Sequence, residues 1–140
     1  TYLHTAISSH HHTLISQLLK AKASPHFRGI NNCTSLHTAA RANCIFAIRL
    51  LLHYGADVDA EDKFTWTPLQ LAARFGYEEI VSELIKKGAD VNKGGFHGWT
   101  ALYYAVREGY TRVAGLLSEA GAREVIREEK TREWGQWSLL

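Results

Sequence analysis

The 140-residue chain contains no methionine, only two prolines and only two cysteines. Two cysteines are too few for a disulfide-rich secreted scaffold, and by themselves they cannot complete a four-cysteine zinc site. Two prolines and eleven glycines exclude a collagen-like chain or a proline-rich linker. Apolar runs last only a few residues, as at 50–52, so the sequence predicts no helix that spans a membrane.

The chain also lacks a dominant sign of charge. Sixteen Lys and Arg residues are interspersed with fourteen Asp and Glu residues, for a formal net charge of +2. This balance argues against a dedicated nucleic-acid-binding protein. A hydrophobic content of 46% favours a folded domain over a disordered one. Free cysteines are typical of a reducing compartment, so we expect an intracellular protein, in the cytoplasm or alternatively in the nucleus.

What the sequence does contain is a repeat of 33 residues. Six columns share this spacing and one phase, which identifies four consecutive units. The recurring residues are Thr1, Thr34, Thr67 and Thr100; Leu3, Leu36, Leu69 and Leu102; Ala6, Ala39, Ala72 and Ala105; Leu18, Leu51, Leu84 and Leu117; Gly55, Gly88 and Gly121; and Ala23, Ala56, Ala89 and Ala122.

Each unit carries the local signals of two short helices. In the third unit, Thr67 followed by Pro68 is typical of a helix start, because Thr caps the helix and proline fits its first position. Gly76 is a helix end, and a second apolar helical face follows and ends at Gly88. Neither helix has enough apolar surface to fold alone, so the units are expected to stack. The register predicts helices at 2–9, 12–21, 35–42, 45–54, 68–75, 78–87, 101–108 and 111–120.

The segment 67–77, T-P-L-Q-L-A-A-R-F-G-Y, together with 80–92, I-V-S-E-L-I-K-K-G-A-D-V-N, closely resembles the ankyrin repeat family. The segments that begin at Thr34 and Thr100 repeat it. The resemblance implies an all-α solenoid of helix-turn-helix units joined by hairpin-like loops. The expected organisation is one domain at 1–140, with repeat 1 truncated at its start (1–26), repeat 2 (30–59), repeat 3 (63–92), repeat 4 (96–125), and a C-terminal cap or decayed fifth repeat (126–140) in which Trp134 and Trp137 cover the end of the core.

The resemblance further implies a non-catalytic module that binds another protein, without a cofactor, as a monomer. We expect neither a nucleic acid nor a membrane as partner. One alternative is a recruitment or scaffold segment of a larger multidomain protein, favoured by the start at Thr1 without methionine. A second alternative, from a different class, is an enzyme or small-molecule binder that uses Trp99, Tyr103 and Tyr104.

Family members contact partners with the hairpin tips and the exposed side of the first helix, which together we call the tip face. On repeats 3 and 4, aromatic residues and arginines concentrate there, and we predict that they bind a partner on the concave face: Phe64, Trp66, Arg74, Phe75, Phe96, Trp99 and Arg107. Exposed aromatic residues are enriched at binding hot spots. As an alternative, Trp66 and Trp99 pack on each other and only stiffen the row of hairpins.

Arginine recurs at the repeat spacing, as Arg41, Arg74 and Arg107. A row of guanidinium groups suits a partner that is rich in carboxylates, because the two groups pair well. The alternative is that these residues are ordinary solvated surface. The sequence therefore favours an acidic protein partner without requiring one.

Three consecutive histidines, His10, His11 and His12, suggest a metal site at first sight. Adjacent residues on a helix point about 100° apart, however, so three in a row do not converge on one ion. We therefore predict no metal site there. Cys44 lies in no CxxC pattern, and we expect it to be a packing residue or a free thiol.

His4 and His37 share a column with Gln70 and Tyr103. The resemblance implies that this residue forms a local hydrogen bond at the start of the first helix. A general base would need a nucleophile or acid beside it, and no Ser/His/Asp or Cys/His constellation is apparent in the sequence. We therefore expect no catalytic residues.

Overall fold

The structure is a computed structural model and describes residues 2–123. This part of the chain holds eight α-helices and no strand, which confirms the predicted all-α fold. The helices are α1 (Tyr2–Ser8), α2 (His12–Lys20), α3 (Ser35–Arg41), α4 (Ile45–His53), α5 (Pro68–Phe75), α6 (Glu78–Lys86), α7 (Ala101–Glu108) and α8 (Thr111–Glu119). Every helix begins at the predicted residue, and six end one residue earlier. In five of these six, the predicted last residue is the C-cap. The loops before α3 and α7 each contain one 3₁₀ turn, Ile30–Asn32 and Phe96–Gly98.

Local signals place the ends of the first helices. The side chains of Thr34, Thr67 and Thr100 each accept a hydrogen bond from the backbone N–H three residues later, as an N-cap does. α5 ends at Gly76, which has a φ of 73°. Asn43 occupies the equivalent position after α3 with a φ of 53°, and Asn preserves the left-handed turn there because it tolerates this conformation.

The helices form two parallel rows. The first helices α1, α3, α5 and α7 pack side by side, and the second helices α2, α4, α6 and α8 pack side by side behind them. Between the rows, leucine and isoleucine side chains such as Leu36, Leu69 and Leu84 are almost fully buried. Repeated alanines such as Ala72 and Ala73 are fully buried and let neighbouring first helices approach closely.

Gly76 illustrates how tight this stacking is. A Cβ atom at this position would lie 2.8 Å from ring atoms of Tyr110 in the next repeat. Any other residue would therefore have to displace that ring, besides adopting a positive φ. Gly76 both ends α5 and makes room for repeat 4.

The hairpin-like loops also form a continuous row. The backbone N–H of Lys63 donates to the carbonyl of Asn31 at 2.8 Å, and the Arg28 guanidinium donates to the carbonyl of Glu61 at 2.7 Å. One repeat further, the N–H of Asp90 donates to a carboxylate oxygen of Asp59 at 2.9 Å. These bonds hold each hairpin tip at a fixed position relative to the next.

The described helices leave two predictions about the domain organisation untested. The proposed cap or fifth repeat, with Trp134 and Trp137, lies outside the described residues. The repeat boundaries given above remain predictions. Within 2–123, every helix is too short to cross a lipid bilayer.

Candidate functional site

The third residue of the first helix, His37 in repeat 2 and Gln70 in repeat 3, connects its repeat to the next one. Nδ1 of His37 accepts the backbone N–H of Thr34 at 3.2 Å, and Nε2 donates to the carbonyl of Trp66 at 2.7 Å. Gln70 repeats the arrangement, since its Oε1 accepts the N–H of Thr67 at 3.1 Å and its Nε2 donates to the carbonyl of Lys93 at 2.8 Å. The local hydrogen bond implied by the resemblance is present, and the same side chain also reaches the hairpin of the following repeat.

Because His37 is buried, its pKa lies below the ordinary value of 6.5, although the hydrogen bond to Trp66 partly opposes this shift. The unfolded chain therefore binds a proton that the folded chain does not. The contribution of neutral His37 to stability is present above pH 6.5 and is lost as the pH falls through the lowered pKa. We expect His37→Gln, which copies Gln70, to weaken the loss of stability between about pH 7 and pH 5.

Urea unfolding at several pH values measures this effect. Burial also lowers the pKa of His4, so some pH dependence remains in the variant. An unchanged pH profile in His37→Gln would contradict the assignment of His37 as a buried, neutral hydrogen-bonding group.

At the hairpin tip of repeat 3, a buried carboxylate fixes the backbone. Oδ1 of Asp62 accepts the N–H groups of Phe64 at 2.8 Å and of Trp66 at 2.9 Å. Oδ2 faces the guanidinium of Arg41 at 3.5 Å. Between the two aromatic residues, Thr65 has a φ of 67°, which is rare for a β-branched side chain. The tip is thus held in one conformation that presents Phe64 outward.

The structure separates the three recurring arginines. Arg41 is used internally, since it pairs with Asp62 and also approaches Sγ of Cys33 at 3.4 Å. Arg74 and Arg107 are exposed, and within the described chain neither has a carboxylate within 4.0 Å. Of the three recurring arginines, Arg74 and Arg107 are thus the two without a carboxylate partner among residues 2–123.

The predicted aromatic residues divide into two groups by exposure. Phe64, Phe75 and Phe96 are exposed, with 51%, 41% and 58% of their surface accessible. Trp66 and Trp99 are half-buried, and Trp66 packs against the hydrophobic core. The exposed phenylalanines are free to contact another molecule, whereas each tryptophan presents only part of its ring.

A residue that the sequence analysis did not include in the binding face connects the two tryptophans. The ring of Tyr104 lies 4.8 Å from that of Trp66 and 6.1 Å from that of Trp99, measured between ring centres. Both tryptophans therefore pack against Tyr104, which lies in contact with each of them. Trp99 also stacks on Tyr103 at 4.7 Å, and Phe96 meets the edge of Trp99 at 6.2 Å. The sequence does distinguish Tyr104 from its counterparts, because it is the largest residue in a repeat column otherwise occupied by Thr, Thr and Leu.

Arg74 links the hairpin tip to the end of α5. Its guanidinium carbon lies 5.3 Å from the ring centre of Trp66 and 5.8 Å from that of Phe75. Both distances allow cation–π attraction. Phe64 stands apart from this cluster and is approached by the ammonium of Lys63 at 5.9 Å. Apart from Phe64, the aromatic rings and the Arg74 guanidinium form one chain of contacts that runs across repeats 3 and 4, with Tyr104 as its buried link.

The alternative of a catalytic or small-molecule site near Trp99 gains little from this geometry. Tyr104 is almost fully buried among other rings, and burial raises the pKa of its phenol, so the hydroxyl stays protonated at neutral pH. A separate open depression of about 330 Å³ lies on the second-helix row and is lined by Ile45, Phe46, Arg49, Leu50 and His53. Three of its five lining residues are apolar, and none carries a carboxylate.

Comparison with known families agrees with the repeat register. A family model described as ankyrin repeats (3 copies) matches residues 1–62 and again 59–128. The two matches together cover most of the chain, including the four helix pairs. Ankyrin repeats are generally protein–protein interaction modules and are typically non-catalytic. On the combined evidence of repeat, fold and family match, this chain belongs to the ankyrin repeat family.

Proposed function

We propose that the chain binds a protein partner through the tip face of repeats 3 and 4, on the concave side of the solenoid. One observation carries the proposal: the exposed Phe75 and Phe96 and two half-buried tryptophans lie in one chain of contacts with Arg74, whose guanidinium lies within 6 Å of two of the ring centres. Exposed Phe64 lies beside this chain on the hairpin tip of repeat 3. Large contiguous aromatic surfaces are uncommon on proteins that have no partner. Aromatic and arginine side chains are also the types most enriched at binding hot spots.

The packing behind this surface supports a binding role. Because Tyr104 supports Trp66 and Trp99 from below, the two rings are held in place before a partner arrives. A preorganised surface loses less side-chain entropy on binding than a mobile one. The tryptophans thus contribute to internal packing through Tyr104 as well as to the proposed contact with the partner.

The charge on this face favours an acidic partner. Arg74 and Arg107 are exposed and without a carboxylate neighbour in the described chain, and Lys63 lies beside Phe64. Carboxylates of the partner would pair with these groups, and the affinity would weaken with added salt. Recruitment of such a partner to a larger protein remains a prediction from the sequence.

The proposal predicts that Phe75→Ala combined with Phe96→Ala weakens partner binding by at least about 30-fold, the size expected when hot-spot side chains are removed. Both side chains are exposed, so their removal should leave the thermal midpoint nearly unchanged. Quantitative pull-down from a cell extract, followed by mass spectrometry, identifies proteins that the wild-type chain captures and the double variant does not. Titration of the strongest candidate then measures the affinity.

Phe46→Ala is the matched control, because Phe46 is 36% exposed on α4, in the row of second helices. It should retain the same partner at wild-type affinity. Loss of the partner in Phe46→Ala, with retention in the double variant, would place the binding face on the second helices instead. Trp66→Ala and Trp99→Ala are less decisive, since contacts with Tyr104 make them change stability as well.

A further inference from the structure

Two histidines and a cysteine meet at the boundary between repeats 1 and 2. One ligand atom each from His10, His12 and Cys44 lies within 4.8 Å of the other two. The imidazoles are exposed and the thiol is buried. All three are outside the tip face of repeats 3 and 4, so this cluster is independent of the proposed partner-binding site.

The turn between α1 and α2 explains why the histidines converge. His10 is not helical, since it follows α1 with a φ of 56°, the left-handed position that Asn43 and Gly76 occupy in later repeats. The N–H of His12 then donates to the carbonyl of His10 at 3.0 Å, which closes a tight turn. The prediction of no metal site assumed that adjacent histidines point about 100° apart, as they do on a helix. Because His10 lies in this turn and not in a helix, that angle does not apply to His10 and His12.

The third ligand comes from the next repeat. Cys44 is the N-cap of α4 and occupies the column of His11, exactly one repeat later. Two residues along, Phe46 stacks on the imidazole of His12, with ring centres 4.4 Å apart and planes inclined by 16°. This stacking holds the His12 ring against repeat 2, on the side where Cys44 lies. Phe46 is therefore a positioning residue for the cluster.

We propose that His10, His12 and Cys44 bind a zinc ion that joins repeat 1 to repeat 2. Imidazole nitrogen and thiolate sulfur are the ligands that Zn²⁺ prefers, and three protein ligands leave a fourth, solvent-facing position for water. Zinc bond lengths of about 2.0–2.3 Å place tetrahedral ligand atoms roughly 3.3–3.7 Å apart. The ligand atoms lie within 4.8 Å of one another, so binding would bring them closer by up to about 1 Å.

Binding would deprotonate the Cys44 thiol, with the proton released to solvent and the sulfur bound as thiolate. His10 lies in the turn before α2, His12 is the first residue of α2, and Cys44 is the N-cap of α4, so the ion would act as a cross-link between neighbouring repeats. Repeats are stabilised chiefly by contacts with their neighbours. A bound ion should therefore raise the stability of the folded chain in proportion to its affinity.

Cobalt(II) titration of the full chain tests the proposal, because cobalt substitutes for zinc and a cobalt–thiolate bond gives an intense charge-transfer absorption. We expect this absorption in the wild-type chain and its displacement by zinc. It should be absent in Cys44→Ala and retained in Cys33→Ser. Absence of the absorption in the wild type, its persistence in Cys44→Ala, or its specific loss in Cys33→Ser would each overturn the proposal.

A surface variant removes the concern that a change at buried Cys44 perturbs folding. His10→Asn keeps the left-handed turn, as Asn43 does in repeat 2, but removes an imidazole. We expect at least about a tenfold loss of cobalt affinity in this variant, whereas His11→Gln, beside the cluster, keeps wild-type affinity. Zinc should also raise the thermal midpoint of the wild type by several degrees, and a chelator should reverse the shift. Equal cobalt affinity in His10→Asn and His11→Gln would contradict the assigned ligands.

Discussion

Replacement of Leu84 by alanine is expected to lower the free energy of unfolding by about 2–5 kcal/mol. Leu84 is fully buried on α6, which packs between α4 and α8. The substitution leaves a cavity that close-packed neighbours on both sides fill only in part. In a linear stack each repeat depends on the adjacent ones, so damage to repeat 3 should affect repeats 2 and 4 as well. Leu69→Ala, on α5 between α3 and α7, should have a similar effect.

Equilibrium unfolding in urea measures this change, and the chain provides a matched control. Leu14 is on α2 and is 40% exposed, so Leu14→Ala removes the same atoms from a site that buries fewer of them. We expect the control to cost less than about 1 kcal/mol. If the midpoint of Leu84→Ala stayed at the wild-type value, the assigned repeat register would be wrong.

Helix positions were predictable because the signals that set them are local. Thr67 caps α5 through a hydrogen bond to a residue three positions away, and Gly76 ends it by adopting a positive φ. Both effects depend on neighbours in sequence. The Thr cap recurs before α3 and α7, and a residue with positive φ follows every first helix. Asn43 follows the same local rule, because Asn tolerates the left-handed conformation that it adopts after α3.

The candidate sites were not predictable in full, because they depend on contacts between side chains of neighbouring repeats. Alignment of the repeats shows which residues are equivalent, but it does not show which residues touch. The 33-residue spacing placed Trp66 and Trp99 in neighbouring hairpins, but only the packing of α5 against α7 shows that Tyr104 fills the space between them. Likewise, His12 and Cys44 lie 32 positions apart, and their meeting follows from the stacking of α2 on α4.

The recurring arginines also show that a shared repeat column does not determine what a residue contacts. Arg41 and Arg74 occupy one column and looked equivalent in sequence. In the structure Arg41 faces the buried carboxylate of Asp62, whereas Arg74 covers aromatic rings. The difference arises because the next hairpin has Asp62 near Arg41 but Gly95 at the equivalent position near Arg74. A periodic residue therefore acquires its role from the non-periodic neighbour that it meets.

The second large effect is expected at Asp62. Asp62→Ala should lower the free energy of unfolding by about 2–4 kcal/mol, because it removes two charge-assisted hydrogen bonds to backbone N–H groups in the hairpin of repeat 3. The ion pair with Arg41 adds little to this figure, since the Arg41 side chain is 45% exposed and solvent screens it. Urea unfolding gives the total cost, and amide hydrogen exchange at Phe64 and Trp66 locates it.

Asp62→Asn separates the two contributions of the carboxylate. Its amide oxygen can still accept from Phe64 and Trp66, while the negative charge facing Arg41 is lost. We therefore expect the Asn variant to lose only about 1 kcal/mol and to keep slow exchange at both amides. If Asn were as damaging as Ala, the carboxylate would act mainly through Arg41. If only the Ala variant loosens the hairpin tip, Phe64 and Trp66 are no longer held in the conformation that presents them. That variant should then also lose the protein partner, although it leaves Phe75, Arg74 and Phe96 unchanged.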